Sequence, residues 1–473
     1  MAMAHRFIPR TIDDFIHRHR ESMHCIQGDI CNLSPRQTRC MQHDKRVIRA
    51  WALFDWANSA YSLVISTAIF PPYFLKIAPS QIPIGTYRLS SSALFAFSVT
   101  VSYVIVAIVV PLLSGIADYR GMRKQFLKAF TLMGSVACAL LFFFDSPSEV
   151  WFGIAAFVVA TVGHAGSLAF YNAYLPEITS YDQMDRVSAM GFAWGYVGSV
   201  LLLLFNLWVI MQPEMFGIRS STLPVRLAFL SVGLWWWGFS QITFAYLPAN
   251  RAIAVETRRV LLKGVEELKK VGRRIVANRN LRWYLIAFLF FSAGVQTVIY
   301  LASAFAEKEL AFGTEELIIV ILLLQLVAVA GAYLFAKVSE IWGSKFSLWT
   351  MIAIWVGICI GGYALQSKWM FYALAAAVGL VLGGIQSQAR SAYAKLVPSR
   401  TPDMTSYFGF LDFVAKWSLI IGTFCFGFID QWTGSMRNSI LALAILFVIG
   451  GLALIPVRIP EIKQIEQGNR LNE

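Results

Sequence analysis

Apolar residues run along this chain in unbroken blocks, and polar residues collect in short segments between them. The blocks fall at about 51–75, 91–117, 126–144, 150–174, 188–211, 225–247, 283–306, 317–337, 347–365, 369–393, 405–428 and 438–457. Each is long enough to cross about 30 Å of hydrocarbon as a helix. The runs are continuous rather than alternating, which excludes a membrane β-barrel. The pattern therefore predicts an all-α membrane protein with twelve transmembrane helices. The break between the third and fourth blocks, Asp145–Glu149, is very short. Pro71 and Pro72 are expected to break or kink the first helix near its outer end.

Composition fits that reading. Charged residues make up 14% of the 473 residues, hydrophobic residues 57%, and the mean hydropathy is +0.60. A soluble globular domain carries about 25% charged residues. The net charge of +13 would raise the question of nucleic acid in a soluble protein. Here the charges lie between apolar blocks and set orientation. Lys and Arg in the segments on the side of the termini far outnumber the six on the opposite side, so both termini are expected in the cytoplasm. No nucleic-acid partner, cofactor or metal site is expected. Cys138, Cys359 and Cys425 fall within spans as small hydrophobes. Cys25, Cys31 and Cys40 lie in a polar tail without CxxC spacing.

Five regions follow. Residues 1–48 form an N-terminal cytoplasmic tail, and 49–247 a first six-helix bundle. Residues 248–282 form a basic cytoplasmic linker, 283–457 a second bundle, and 458–473 a C-terminal tail. The tail contains five of the six histidines but no secretory signal, and Met41 is a second candidate for the natural start. In the linker, Val260, Leu261, Val265 and Leu268 recur at helical spacing among basic residues. An amphipathic helix on the anionic inner leaflet, or a solvated linker helix, would give this pattern.

The two bundles are expected to be related by duplication. ADYRGMRKQF after the second block matches SEIWGSKF after the eighth, each with an acid three residues before a glycine: Asp118 with Gly121, and Glu340 with Gly343. Gly121 to Gly343 and Pro176 to Pro398 are both offsets of 222, and Gly191 to Gly409 is 218. In such repeats the solute path runs between the halves.

Ionisable groups inside spans are costly and point to function. Asp412 and Lys416 share a face of the eleventh helix at i,i+4. They form either a structural pair or one that opens with solute or proton. Asp55 is placed near the cytoplasmic end of the first helix, with Asn58 and Ser59 one turn on. It is a candidate for proton coupling, an entrance residue, or a cap for a neighbouring helix. His164, between Gly163 and Gly166, is a packing group or a solute or proton site. Tyr171, Asn172 and Glu177 follow it towards the cytoplasm. On the tenth helix Gln386 and Arg390 share a face. Arg390 can clamp a carboxylate or pair with an acid at the cytoplasmic gate. Gln296 and Gln325 are further polar candidates. There is no GxxxxGK[ST], HExxH or GxSxG motif. The chain is thus not expected to be an enzyme.

The segment SGIADYRGMRK resembles the loop motif of the major facilitator superfamily, with Asp118, Gly121, Arg123 and Lys124 matching and Ser114 where a glycine is usual. Four further blocks, RAWALFDWANSAYSLVISTAIFPPYF, FYNAYLPEIT, GGIQSQARSAYAKLVPS and FGFLDFVAKWSLIIG, are similar to the branch of autophagy-linked fungal vacuolar effluxers and their bacterial homologues. The resemblance implies the major facilitator fold: twelve helices in two pseudo-symmetric six-helix bundles working by alternating access. It implies a cytoplasmic gate in which Asp118 meets the eleventh helix, supported by Arg123 and Lys124, with Glu340 and Gly343 as the second-half counterparts. The expected function is secondary active transport of a small solute, with amino-acid or short-peptide efflux leading. An exporter of a drug, metabolite or metal chelate is the alternative, and a non-transporting receptor or scaffold is the alternative of another class. The expected partners are the solute, the lipid bilayer and a coupling proton, for a monomer in a bacterial inner membrane or, alternatively, a vacuolar membrane.

Overall fold

The computed structural model describes residues 44–84, 87–248, 260–398 and 401–460. The polar tail up to residue 43, the first part of the linker and the tail beyond 460 lie outside the described residues. Val260 and Leu261 lie within a described helix, but their side chains are not described.

The helices are α1 Lys45–Ala60, α2 Phe70–Ile77, α3 Ser91–Arg120, α4 Arg123–Leu140, α5 Val150–Asn172, α6 Leu175–Ile178, α7 Met184–Met211 and α8 Leu223–Tyr246. They continue with α9 Val260–Ala277, α10 Arg279–Leu310, α11 Thr314–Trp342, α12 Ser344–Tyr363, α13 Lys368–Leu396, α14 Met404–Thr433 and α15 Met436–Leu454. Among the described residues, eleven helical segments are long and apolar enough to cross a membrane. The chain is thus an all-α, multi-spanning membrane protein. Helix α8 covers the predicted 225–247 block and has 24 residues, but it is not among the eleven. Its run of three tryptophans, with Gln241 and Arg226, lowers its hydropathy.

The first span does not break at its prolines. Helix α1 passes into a π-helical stretch, Tyr61–Ile69, and then into α2, where Pro71 and Pro72 occupy the first turn. A first-turn N–H has no intrahelical partner to lose, so proline is tolerated there. The five-residue hydrogen bond from Phe70 N–H to Ile65 O marks the wide turn that absorbs the mismatch. An unforeseen antiparallel hairpin follows, β1 Gln81–Ile84 with β2 Tyr87–Ser90, pairing Gln81 with Ser90 and Ile84 with Tyr87. The short break after α4 holds because Ser146 and Glu149 form a capping box at its far end.

Helices α1, α4, α5, α7 and α8 pack on one another, as do α10, α14 and α15, and α11 with α13. Helix α3 joins the first set through α5, and α12 and α13 tie the remaining helices into a second group. The two groups meet where α7 lies against α11 and α13 and where α3 lies against α14. The ends of α3, α5 and α13 meet the beginnings of α7 and α14 at one face, rich in Arg and Lys. Pro460 also reaches this face, accepting a hydrogen bond from the Tyr181 hydroxyl.

The basic linker helix α9 stands against the protein. It packs on α3 and α14. A Cβ on either Gly115 or Gly264 would be driven into the other segment, so two glycines set this crossing. Val271 and Ile275 are buried, Gly272 faces Phe410, and Arg274 pairs with Asp403 at 2.6 Å. Val265 and Leu268 are only half-buried. Neighbouring helices therefore cover the amphipathic face at Val271 and Ile275 and only in part at Val265 and Leu268.

Candidate functional site

Three buried acids hold the basic face together, two at helix ends and one within the first span. The first is Asp118, in the last turn of α3. Its carboxylate accepts the backbone N–H groups of Thr405, at 3.1 Å, and Ser406, at 2.6 Å. These are orphan donors in the first turn of α14, where a negative charge also meets the positive helix end. Gly121 ends α3 at φ 67°, a left-handed conformation that a side chain would strain. That turn brings Arg123 back beneath Asp118, at 3.6 Å. Arg123 is fully buried. It also pairs with Glu177, donates to Thr405 Oγ1 at 2.7 Å and covers the Tyr174 ring. Lys124 turns elsewhere, to the carbonyl of Leu247 beyond α8. Among the described residues no hydrogen bond or ion pair joins it to the Asp118 cluster in this structure.

The second acid, Asp185, was not singled out from sequence. It lies in the first turn of α7 and pairs with Lys395 of α13 at 2.6 Å, with side chains 3% and 7% exposed. The hydroxyls of Ser339, at the end of α11, and Ser391 donate to the same carboxylate, and Ser344 Oγ lies 3.4 Å from it. Lys395 also donates to Ser344 at 2.8 Å. Glu340 does not take the part of Asp118. It pairs with Lys337 one turn back on its own helix, at 3.2 Å, and is 32% exposed. Gly343, at φ 88°, makes the turn between α11 and α12 that brings Ser344 to Asp185. The available signals were an acid in the first turn of one span and, far along the chain, a lysine within the apolar AYAKL end of another.

The third acid is Asp55, which is neither a solvated entrance residue nor a helix cap. It is 8% exposed and pairs with Arg390 of α13 at 3.1 Å. Tyr171 donates its hydroxyl to the same carboxylate oxygen at 2.9 Å. Arg390 also donates to Asn172 Oδ1 at 3.2 Å, to Ser188 Oγ at 2.9 Å and to Ser188 O at 2.8 Å. Its guanidinium lies 4.7 Å from the Trp51 ring, 5.7 Å from Tyr171 and 4.2 Å from Phe192. Trp51 stacks on Tyr171 and donates its indole N–H to the Tyr171 carbonyl. Of the two roles open to Arg390, pairing with an acid is the one realised here. Gln386, one turn before it, accepts from Tyr196 at 2.7 Å.

Asp412 and Lys416 are apart from these clusters, in the middle of α14. They pair at 3.2 Å with side chains 11% and 12% exposed, so they face the protein interior. The second Asp412 oxygen has no hydrogen-bond partner among the described residues. Lys416 lies over the Tyr103 ring, at 5.2 Å. His164 contacts the rings of Tyr61 and Trp236. Asn58 is buried, and its side-chain oxygen likewise has no partner among the described residues. An apolar cavity lined by Thr297, Phe305, Cys359 and Phe426 lies within the second group of helices and presents no charge. No cluster of three or more His, Cys, Asp or Glu suited to a metal occurs among the described residues.

The fold is that of solved transporters. The human organic anion transporter MFSD10 superposes with a TM-score of 0.64, at 13% identity, covering 87% of this chain and 99% of that one. The uncharacterized MFS-type transporter YxiO of Bacillus subtilis (strain 168) is 32% identical over 407 residues, 85% of this chain and 92% of its own length. Autophagy-related protein 22-1 of Phaeosphaeria nodorum is 26% identical over 441 residues, 77% of this chain and 75% of its own length. The family model described as "Vacuole effluxer Atg22 like" matches residues 43–464. The chain accordingly belongs to the Atg22-like vacuole effluxer family, a branch of the major facilitator superfamily of transporters, which are not enzymes.

Proposed function

We propose that this transporter moves amino acids or short peptides out of the compartment it serves, by rocking of two six-helix bundles, 49–247 and 283–457, joined by the linker 248–282. Helix α8 then serves as the sixth of twelve spans. The basic face is cytoplasmic, with both termini on that side. The clusters on Asp55, Asp118 and Asp185 form the closed cytoplasmic gate, and the site lies between the bundles around Asp412 and Lys416. The protein works as a monomer in a bacterial inner membrane, and a coupling proton accompanies the solute.

The Asp412–Lys416 pair carries this reading. It sets a carboxylate and an ammonium 3.2 Å apart, mostly shielded, with one carboxylate oxygen still unpaired. A zwitterion can exchange its own two charges with such a pair, so that no charge is left uncompensated when it enters. Coupling requires that the solute bind the two states with different strength. A pair that is closed without solute and split with it meets that requirement. The test is uptake of labelled amino acids and dipeptides into proteoliposomes under an imposed proton gradient. Asp412→Asn is expected to abolish gradient-driven flux while inserting normally. Unchanged flux in that variant would remove the pair from the mechanism.

A further inference from the structure

The cluster around Arg390 is built unequally. All the hydrogen bonds and ring contacts described for the guanidinium come from α1, α5 and α7, across the seam from its own helix α13. Trp51, Tyr171 and Phe192 present ring faces, and Asp55, Asn172 and Ser188 present oxygens. Four acceptor contacts at 2.8–3.2 Å meet the planar fork of N–H groups that distinguishes Arg from Lys. Gly191 lets the cluster close, since a Cβ there would press on both Asp55 and Arg390. Rings on several sides of a carboxylate are the chemistry by which proteins bind organic cations.

When α13 moves away from α7 to open the basic face, Arg390 leaves and this half-site stays behind. Asp55 then loses its counter-charge and keeps the Tyr171 hydroxyl as its described partner, which leaves the charge under-compensated. A proton can neutralise it, but a proton makes no use of the three rings or of the oxygens on Asn172 and Ser188. We infer that, in the state open to the basic face, the cage of Trp51, Tyr171, Phe192, Asp55, Asn172 and Ser188 is a binding site for a solute bearing a guanidinium group, and that Arg390 is its tethered competitor. The site rests on the alternating access proposed above, and it extends the proposed amino-acid substrates to cationic ones. Arg390 holds the gate shut by occupying the cage, and a cationic solute that fills the cage keeps the gate open.

The test compares arginine with citrulline, which replaces the guanidinium by a neutral urea of nearly the same shape. Binding to the full-length detergent-purified protein is read by calorimetry, without need of transport. Removing the competitor in Arg390→Ala is expected to tighten arginine binding by about tenfold or more, because the cage is vacant in every state. Citrulline binding is expected to stay as it was, and Asp55→Asn in the same background should erase the preference for arginine. If Arg390→Ala does not fold, arginine is compared with citrulline on the wild-type protein and on Arg390→Lys, whose compact ammonium fits the fork less well. A stronger preference for arginine in Arg390→Lys supports the cage. Equal binding of the two solutes in all folded variants overturns it, as does uptake of a proton alone by Asp55 with no gain for arginine. Arginine binding without flux of any amino acid in proteoliposomes would leave the cage standing and remove the transport proposal. Flux of amino acids with no preference for arginine would do the reverse.

Discussion

The two seams at the basic face use the same encounter with the roles exchanged. At one seam the turn between α3 and α4 meets the beginning of α14. The acid, Asp118, is on the turn side, and the helix offers backbone N–H groups. At the other, the turn between α11 and α12 meets the beginning of α7. Here the acid, Asp185, is on the helix, and the turn side offers the hydroxyls of Ser339 and Ser344. The spacings of 222 and 218 residues in the sequence align these elements pairwise. What the two seams share is therefore the meeting of a turn with a helix start, together with a buried carboxylate. Which of the two elements supplies that carboxylate does not recur.

The seams also differ in how much each carboxylate holds. Asp185 is the direct counter-charge of Lys395, and both side chains are almost wholly enclosed. Asp185→Ala leaves Lys395 buried and Ser339 and Ser391 without their acceptor. Breaking a buried pair from one side costs about 3–5 kcal/mol. We expect this variant to show the largest fall in thermal unfolding temperature, measured on the detergent-purified protein. Melting at the wild-type temperature would mean that the α7 seam contributes no stability. At the α3 seam, Asp118→Asn keeps one acceptor oxygen, and Arg123 keeps Glu177 as a partner. The loss is confined to the charge opposite Arg123 and the helix start, about 1–3 kcal/mol. A larger drop than for Asp185→Ala would reverse the ranking of the two seams.

Much of this architecture is legible in the chain because a bilayer simplifies the problem. Continuous apolar runs mark the helices, and glycines such as Gly121 mark their ends. The pairing partners were less accessible. Asp55 and Arg390 each stood out as an ionisable group near a span end, yet nothing in their spacing of 335 residues links them. Asp185 sits in a polar stretch next to Asp182 and Arg186, where a charge reads as solvated. Its burial depends on α11, α12 and α13 closing over it, which is a tertiary effect. The hairpin at Gln81–Ser90 is too short and mixed for a period to show. The π-helical turn before Pro71 is a response to packing rather than a sequence signal.

The linker helix α9 meets the α3 seam by resting on α3 and α14, and it also touches α10, which follows it in the chain. This gives a means of loosening one seam without altering its acid. Gly264→Leu places a branched side chain against Ile116 and the α3 backbone. Overpacking of that kind costs about 1–3 kcal/mol, with the lower part of the range expected for a helix on the periphery that can shift. Protease cleavage in the linker should be faster in Gly264→Leu, while Asp185→Ala should leave it at the wild-type rate. Equal acceleration in both would mean that α9 reports on the whole face rather than on the α3 seam.

The smallest effect is expected where the repeat most invites a large one. Glu340 aligns with Asp118 at the offset of 222, keeps the charge and precedes Gly343 by three residues as Asp118 precedes Gly121. If alignment determined role, Glu340→Gln would weaken the α7 seam as Asp118→Asn weakens the α3 seam. The geometry says otherwise. Glu340 is partly exposed and pairs with a well-exposed Lys337 on its own helix, while the carboxylate at that seam is already provided by Asp185. An exposed i,i+3 pair contributes about 0.5 kcal/mol or less. Glu340→Gln is therefore expected to melt within about 0.5 kcal/mol of wild type and to leave flux unaltered. A loss comparable to that of Asp118→Asn would mean that Glu340 moves to meet α7 in another state of the cycle, restoring the symmetry that the sequence repeat suggests.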